Sequence, residues 1–129
     1  METGLTLPQI VLTDRDHETL ASLVSTLSEQ DRSVAEYLAD ELERAVIVPQ
    51  SDIAPDVVTM NSRVTFRDDS NGRVIVVSLV LPREADIAAG RLSVLTPIGA
   101  ALIGLTEGNS IEWKDRNGNW RMLTVLTVS

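Results

Sequence analysis

The sequence predicts an α+β protein: an N-terminal antiparallel helical hairpin followed by an antiparallel sheet packed on one helix. Three observations predict it. Apolar residues recur at helical spacing as far as Val46, and beyond Pro49 and Pro55 the spacing changes to two. Charge divides at the same place: residues 1–50 hold ten acids and three arginines, a net −7, whereas residues 51–129 hold nine acids and eight Lys and Arg, a net −1. At 129 residues and 43% hydrophobic, the chain has apolar material for one ordinary core.

In the first half, Thr13 stands three residues ahead of Asp16, and Leu20, Leu23, Val24 and Leu27 follow at i, i+3, i+4 and i+7. That is a capped amphipathic helix over residues 14–27. Ser33 with Glu36 forms a second capping box, and Ala35, Leu38, Ala39, Leu42, Ala45 and Val46 make one apolar stripe. A second helix over 34–46 follows. The short polar connection Ser28-Glu29-Gln30-Asp31-Arg32 favours antiparallel neighbours that bury their stripes on each other.

Pro49 and Pro55 bracket a segment that cannot easily continue a helix. After it Val58, Met60, Ser62, Val64 and Phe66 alternate with polar residues, which predicts a strand over 58–66 with one wet face. Asn71-Gly72 supplies a turn into 73–81, so densely branched that both its faces are expected to be covered. A third strand over 91–95 leads to Thr96-Pro97, a cap and first-turn proline opening an apolar helix over 98–105, which Gly104 and Gly108 help to end. Strands over 110–114 and 119–128, joined by Asp115-Arg116-Asn117-Gly118, complete the sheet.

Composition excludes much. Without cysteine there are no thiol nucleophiles, thiolate metal sites or disulfides, and His17 alone leaves little for imidazole chemistry. A net charge of −8 and a pI near 4.5 give no source for direct nucleic-acid affinity. The opening Met1-Glu2-Thr3-Gly4-Leu5 lacks a basic region followed by an apolar run, and no stretch is long enough to span a bilayer. A soluble cytoplasmic monomer is expected.

Candidate chemistry is sparse. Asp14, Asp16, His17 and Glu18 crowd the first turn of the first helix, where acids answer the positive helix end and His17 sits on a solvated start. Glu36, Asp40, Glu41 and Glu43 read as the solvated face of the second helix. The run from Gly99 to Gly104 and Thr106 has phosphate-loop spacing, but Leu105 stands where the lysine belongs, so helix-on-sheet packing is the better account. No base is placed to activate a serine or threonine. Trp113 and Trp120 flank a turn, covering the core or pairing across strands. These residues favour a binding module over an enzyme, with no cofactor and no metal.

Two strings carry a resemblance: residues 56–66, from Asp56-Val57-Val58 to Val64-Thr65-Phe66, and residues 92–105, from Leu92-Ser93-Val94-Leu95-Thr96-Pro97 to Ile103-Gly104-Leu105. Through them essentially the whole chain resembles the bacterial regulator of nucleoside diphosphate kinase family, Rnk. The second part is similar to the C-terminal domain of the Gre transcript-cleavage factors, with Thr96 in place of that domain's serine and Asn109 in place of its aspartate. Thr and Asn fill the same cap and turn roles. The resemblance implies an FKBP-like domain over 57–129, a linker over 51–56 and a short coiled-coil arm over 1–50, shorter than the Gre arms. It implies RNA polymerase as partner, at the rim of the secondary channel. Docking would rest on Leu95, Thr96, Pro97, Ile98 and Gly99, with Ser28, Glu29, Gln30 and Asp31 at the arm tip. The implied function is non-catalytic regulation in competition with Gre-type factors; transcript cleavage, or direct control of nucleoside diphosphate kinase, is the alternative. FKBP-like describes the fold only, because four aromatic residues cannot line an isomerase pocket.

Overall fold

The computed structural model describes residues 8–26 and 32–129. The chain enters through a short strand, Val11–Thr13 (β1), and turns into helix Asp14–Ser25 (α1), where the Thr13 hydroxyl accepts from the Asp16 N–H at 2.9 Å. The cap read from the sequence is the cap observed. The second helix, Arg32–Arg44 (α2), begins and ends two residues before the predicted 34–46, so Ser33 lies inside the first turn. Val46 leaves the helix because three β-branched residues form a strand, Val46–Val48 (β2), parallel to β1, and the Val46 N–H reaches the Ile10 carbonyl at 2.9 Å. This two-stranded sheet at the base of the hairpin is not predicted.

Pro49 and a 3₁₀ turn at Gln50–Asp52 lead toward the larger sheet. Its strands are Arg63–Asp68 (β3), Arg73–Val80 (β4), Arg91–Ser93 (β5), Ser110–Lys114 (β6) and Trp120–Val128 (β7), in the order β5-β4-β3-β7-β6. β4 and β5 run parallel, so the sheet is mixed rather than antiparallel. The predicted strand from Val58 starts only at Arg63: Ser62 bonds back to the Thr59 carbonyl at 3.1 Å, and Asn61 holds a φ of 72° in the turn. Helix Pro97–Leu102 (α3) covers the inner face and stops short of the predicted residue 105, because Gly104 turns left-handed at φ 83°. The expectation that both faces of β4 are covered is also corrected: Val74 is 57% and Val76 45% exposed.

The inner face supplies Val64, Phe66, Val77, Leu79, Ile111, Trp113, Leu123 and Val125, and α3 supplies Ala100, Ala101 and Leu102. Ile10, Leu12, Leu20, Leu38 and Leu42 of the N-terminal segment join the same cluster. A side chain at Gly104 would lie 2.9 Å from the Ile10 Cβ, so glycine there lets the entering strand rest on the end of α3. Trp113 covers the core while Trp120 is 62% exposed; since Trp113 pairs with Arg121 and Trp120 with Lys114, the tryptophans occupy opposite faces and do not pair.

Candidate functional site

Leu95 to Gly99 form the corner between β5 and α3, and local hydrogen bonds fix it. The Thr96 hydroxyl donates to the Ser93 carbonyl at 2.8 Å and accepts from the Gly99 N–H at 3.0 Å, while the Ser93 hydroxyl accepts from the Leu95 N–H at 3.0 Å. Pro97 follows the cap at the first helical position, where its missing N–H costs nothing. Gly99 is buried: a Cβ there would sit inside contact distance of the Ser93 carbonyl and 2.9 Å from the Val94 Cα. It therefore sets the approach of α3 to the chain before it rather than offering a surface. Leu95, Pro97 and Ile98 remain half-buried around it. The result is a rigid apolar corner without a titratable group.

The acidic residues of the hairpin take other places. Asp14, Arg15, Glu18 and Thr19 line a shallow, open depression, and the described residues contain no cluster able to hold a metal ion. His17 is not on a solvated start: its Nε2 lies 3.2 Å from the Leu42 carbonyl and ties α1 to α2. Asp16 is buried, its carboxylate accepting from the Met60 N–H at 3.0 Å. Glu41 is buried as well, gripped by the Arg44 guanidinium at 2.8 and 3.0 Å, and Arg44 also donates to the Pro8 carbonyl. Tyr37, whose hydroxyl has no partner among the described residues, has its pKa pushed above the ordinary phenol value by burial and by Glu41. Glu41 thus departs from the predicted solvated face. No sequence signal marks Asp16 or Glu41, since their partners are set by tertiary contact. Ser28, Glu29, Gln30 and Asp31 lie outside the described residues.

On the other side of the domain, Asp115 accepts from Arg121 Nε at 2.8 Å and from the N–H groups of Asn117 and Asn119, both at 2.9 Å. The Arg121 hydrogen bond chiefly, then Asn119, lowers its pKa below the ordinary 3.8. Asp69 is lowered in the same way by hydrogen bonds from Thr124 and Arg67. Arg121 also donates to the Ser70 hydroxyl at 2.9 Å, so these groups tie the β3–β4 turn to β7 and the β6–β7 turn.

Two family models match the chain. Residues 8–48 match the Rnk N-terminus, and residues 51–129 match the C-terminal domain of the transcription elongation factors GreA and GreB. The Escherichia coli K12 protein named regulator of nucleoside diphosphate kinase is 40% identical over 94% of this chain and 89% of its own length. The chain belongs to the Rnk family. Beyond the Rnk relatives, a GreA from Rhodospirillum rubrum is 36% identical over 81% of this chain and 70% of its own. A solved structure, a prokaryotic GreA/GreB elongation factor from Nitrosomonas europaea, is 37% identical, covers 95% of this chain and 98% of that one, and superposes with a TM-score of 0.73. In this Rnk-family chain the rigid corner at Thr96 and Pro97 belongs to the GreA/GreB-type half, and the acidic hairpin to the Rnk half.

Proposed function

We propose that this protein is a non-catalytic transcription regulator that binds RNA polymerase at the rim of the secondary channel and competes there with Gre-type factors. The reading is supported by a partly exposed apolar corner of Leu95, Pro97 and Ile98 on a GreA/GreB-type domain. A rigid apolar knob loses little entropy on docking, which suits a contact centre. In this reading residues 57–129 form an FKBP-like domain, residues 1–50 a short coiled-coil arm, and 51–56 the linker between them. The protein acts as a cytoplasmic monomer without cofactor or metal, and does not contact nucleic acid directly. The −7 of the arm directs it toward a basic protein surface instead.

The relatives' name favours one second reading, direct control of nucleoside diphosphate kinase by protein contact. One experiment separates the two. The tagged chain, incubated separately with purified core RNA polymerase and with nucleoside diphosphate kinase, should capture the polymerase and release it when a Gre factor is added in excess. Capture of the kinase alone would replace the proposal with the second reading.

A further inference from the structure

β5 pairs with only the last three residues of β4, Ser78 to Val80. On its other side β4 pairs with β3 along residues 73–78. The N–H and C=O groups of successive strand residues point to opposite sides. Leu79 bonds toward β3 through the Ser62 carbonyl, and Ser78 bonds toward β5 through the Gly90 carbonyl at 2.7 Å. Val74 and Val76 share the direction of Ser78, so their backbone groups face the edge where β5 is missing. Gly90 closes one end of this gap near the Val76 carbonyl.

Between Arg73 and Ser78 the edge is also apolar. Val74 and Val76 stand 57% and 45% exposed on the outer face, and Ile87, 71% exposed, projects from the loop that ends at Gly90. Exposed edges ordinarily carry a charge, a proline or a bulge, and the opposite edge, β6, carries Glu112 and Lys114. Residues 74–77 are Val-Ile-Val-Val, paired to β3 without a register shift. Along the outer face the apolar stretch ends at Arg91 and Arg63 flanking Ser78. Arg91 is held by Asp86 at 3.5 Å and donates to the Glu84 carbonyl at 3.1 Å, whereas the Arg63 side chain makes no hydrogen bond or ion pair among the described residues.

We propose that residues 74–77 form a strand-addition site for an extended protein segment, apolar where it lies beside Val74 and Val76 and acidic toward Arg63. Main-chain hydrogen bonds would supply affinity, and the two valines and Arg63 selectivity. The gap spans four residues, roughly 14 Å at strand rise, which suits a short peptide.

The test uses the full chain and a short capped peptide of alternating valine and threonine ending in two glutamates. Amide hydrogen exchange should show Val74 and Val76 exchanging fast in the free protein, while Ile75 and Val77 are protected. Saturating peptide should slow Val74 and Val76 by about tenfold or more. Val76→Pro removes an edge-facing donor without touching a β3 bond, and should weaken binding at least about tenfold. A peptide ending in two lysines should bind more weakly than the glutamate peptide. Unchanged exchange at Val74 and Val76 in saturating peptide overturns the proposal even if the proline variant fails to fold. Equal binding of the lysine peptide overturns the acidic partner, and protection that rises with protein concentration alone assigns the edge to a second copy instead.

Discussion

The Asp16 carboxylate accepts the backbone N–H of Met60 at 3.0 Å, across 44 residues of sequence, and this bond joins the base of the hairpin to the turn before β3. Asp16 is 7% exposed, so removing its oxygen leaves a donor facing protein rather than water. Asp16→Ala should destabilise the chain by about 1–3 kcal/mol in urea denaturation. Asp16→Asn keeps an acceptor and should cost about 1 kcal/mol or less. Equal losses would show that the negative charge, not the bond to Met60, matters.

Gly99 and Gly72 make a contrast within one molecule. A Cβ at Gly99 collides with the backbone of Ser93 and Val94, whereas one at Gly72 meets nothing within 4 Å and is opposed only by a φ of 74°. Gly99→Ala should cost about 3 kcal/mol through overpacking. Gly72→Ala should cost about 1 kcal/mol through left-handed strain. Thermal unfolding of the two variants ranks them directly.

Thr96 and Pro97 should separate by readout. Thr96→Ala removes the helix cap and should lower stability by about 1 kcal/mol, and Thr96→Ser should restore it. Pro97→Ala leaves the cap in place, so the melting temperature should stay nearly unchanged while capture of RNA polymerase weakens. Loss of stability with full capture would leave Pro97 as a helix starter only.

Acid sensitivity follows from Asp115 and Asp69. Hydrogen bonds, from Arg121 and Asn119 to the first and from Thr124 and Arg67 to the second, lower both below 3.8 in the folded chain. A depressed folded value means the contribution is present above the unfolded value and is lost as pH falls through the folded one. Carboxyl titration by NMR should find both midpoints below 3.8, and Arg121→Ala should move Asp115 upward while leaving Asp69 in place. An unmoved Asp115 would remove Arg121 as the cause.

Elements with local signals are legible in the sequence; those held by distant partners are not. Thr13 and Thr96 announce their caps because the bonds span three residues. The β1–β2 pair escapes notice because Val46 continues the apolar stripe of α2 at i+4 from Leu42, and only the pairing with Val11 draws it out of the helix. Val58 and Met60 keep strand spacing, yet Asn61 breaks the chain into a turn. The dense branching of β4 suggests two covered faces, but β5 is three residues long and leaves Val74 and Val76 open. At the site, the rigid Thr96-Pro97 corner is readable, whereas the buried Asp16 and Glu41 look like any acids on a helix.

The protein should not stimulate transcript cleavage. At about 1.5 Å per residue, the twelve residues of α1 and thirteen of α2 reach only about 20 Å. To act in the polymerase centre, carboxylates must arrive within coordination distance of a metal held there, and a short hairpin stops before that depth. The connecting residues 28–32 carry two acids, Glu29 and Asp31, beside Arg32, which offsets part of their charge. Occupancy without chemistry is therefore expected: the bound chain blocks the rim and contributes no catalytic carboxylate. A backtracked elongation complex given this protein and Mg²⁺ should release no 3′ fragment above background. It should also release less than usual when a Gre factor is added afterwards. Fragment release that disappears with Glu29→Ala or Asp31→Ala would make the protein a cleavage factor and refute the reading.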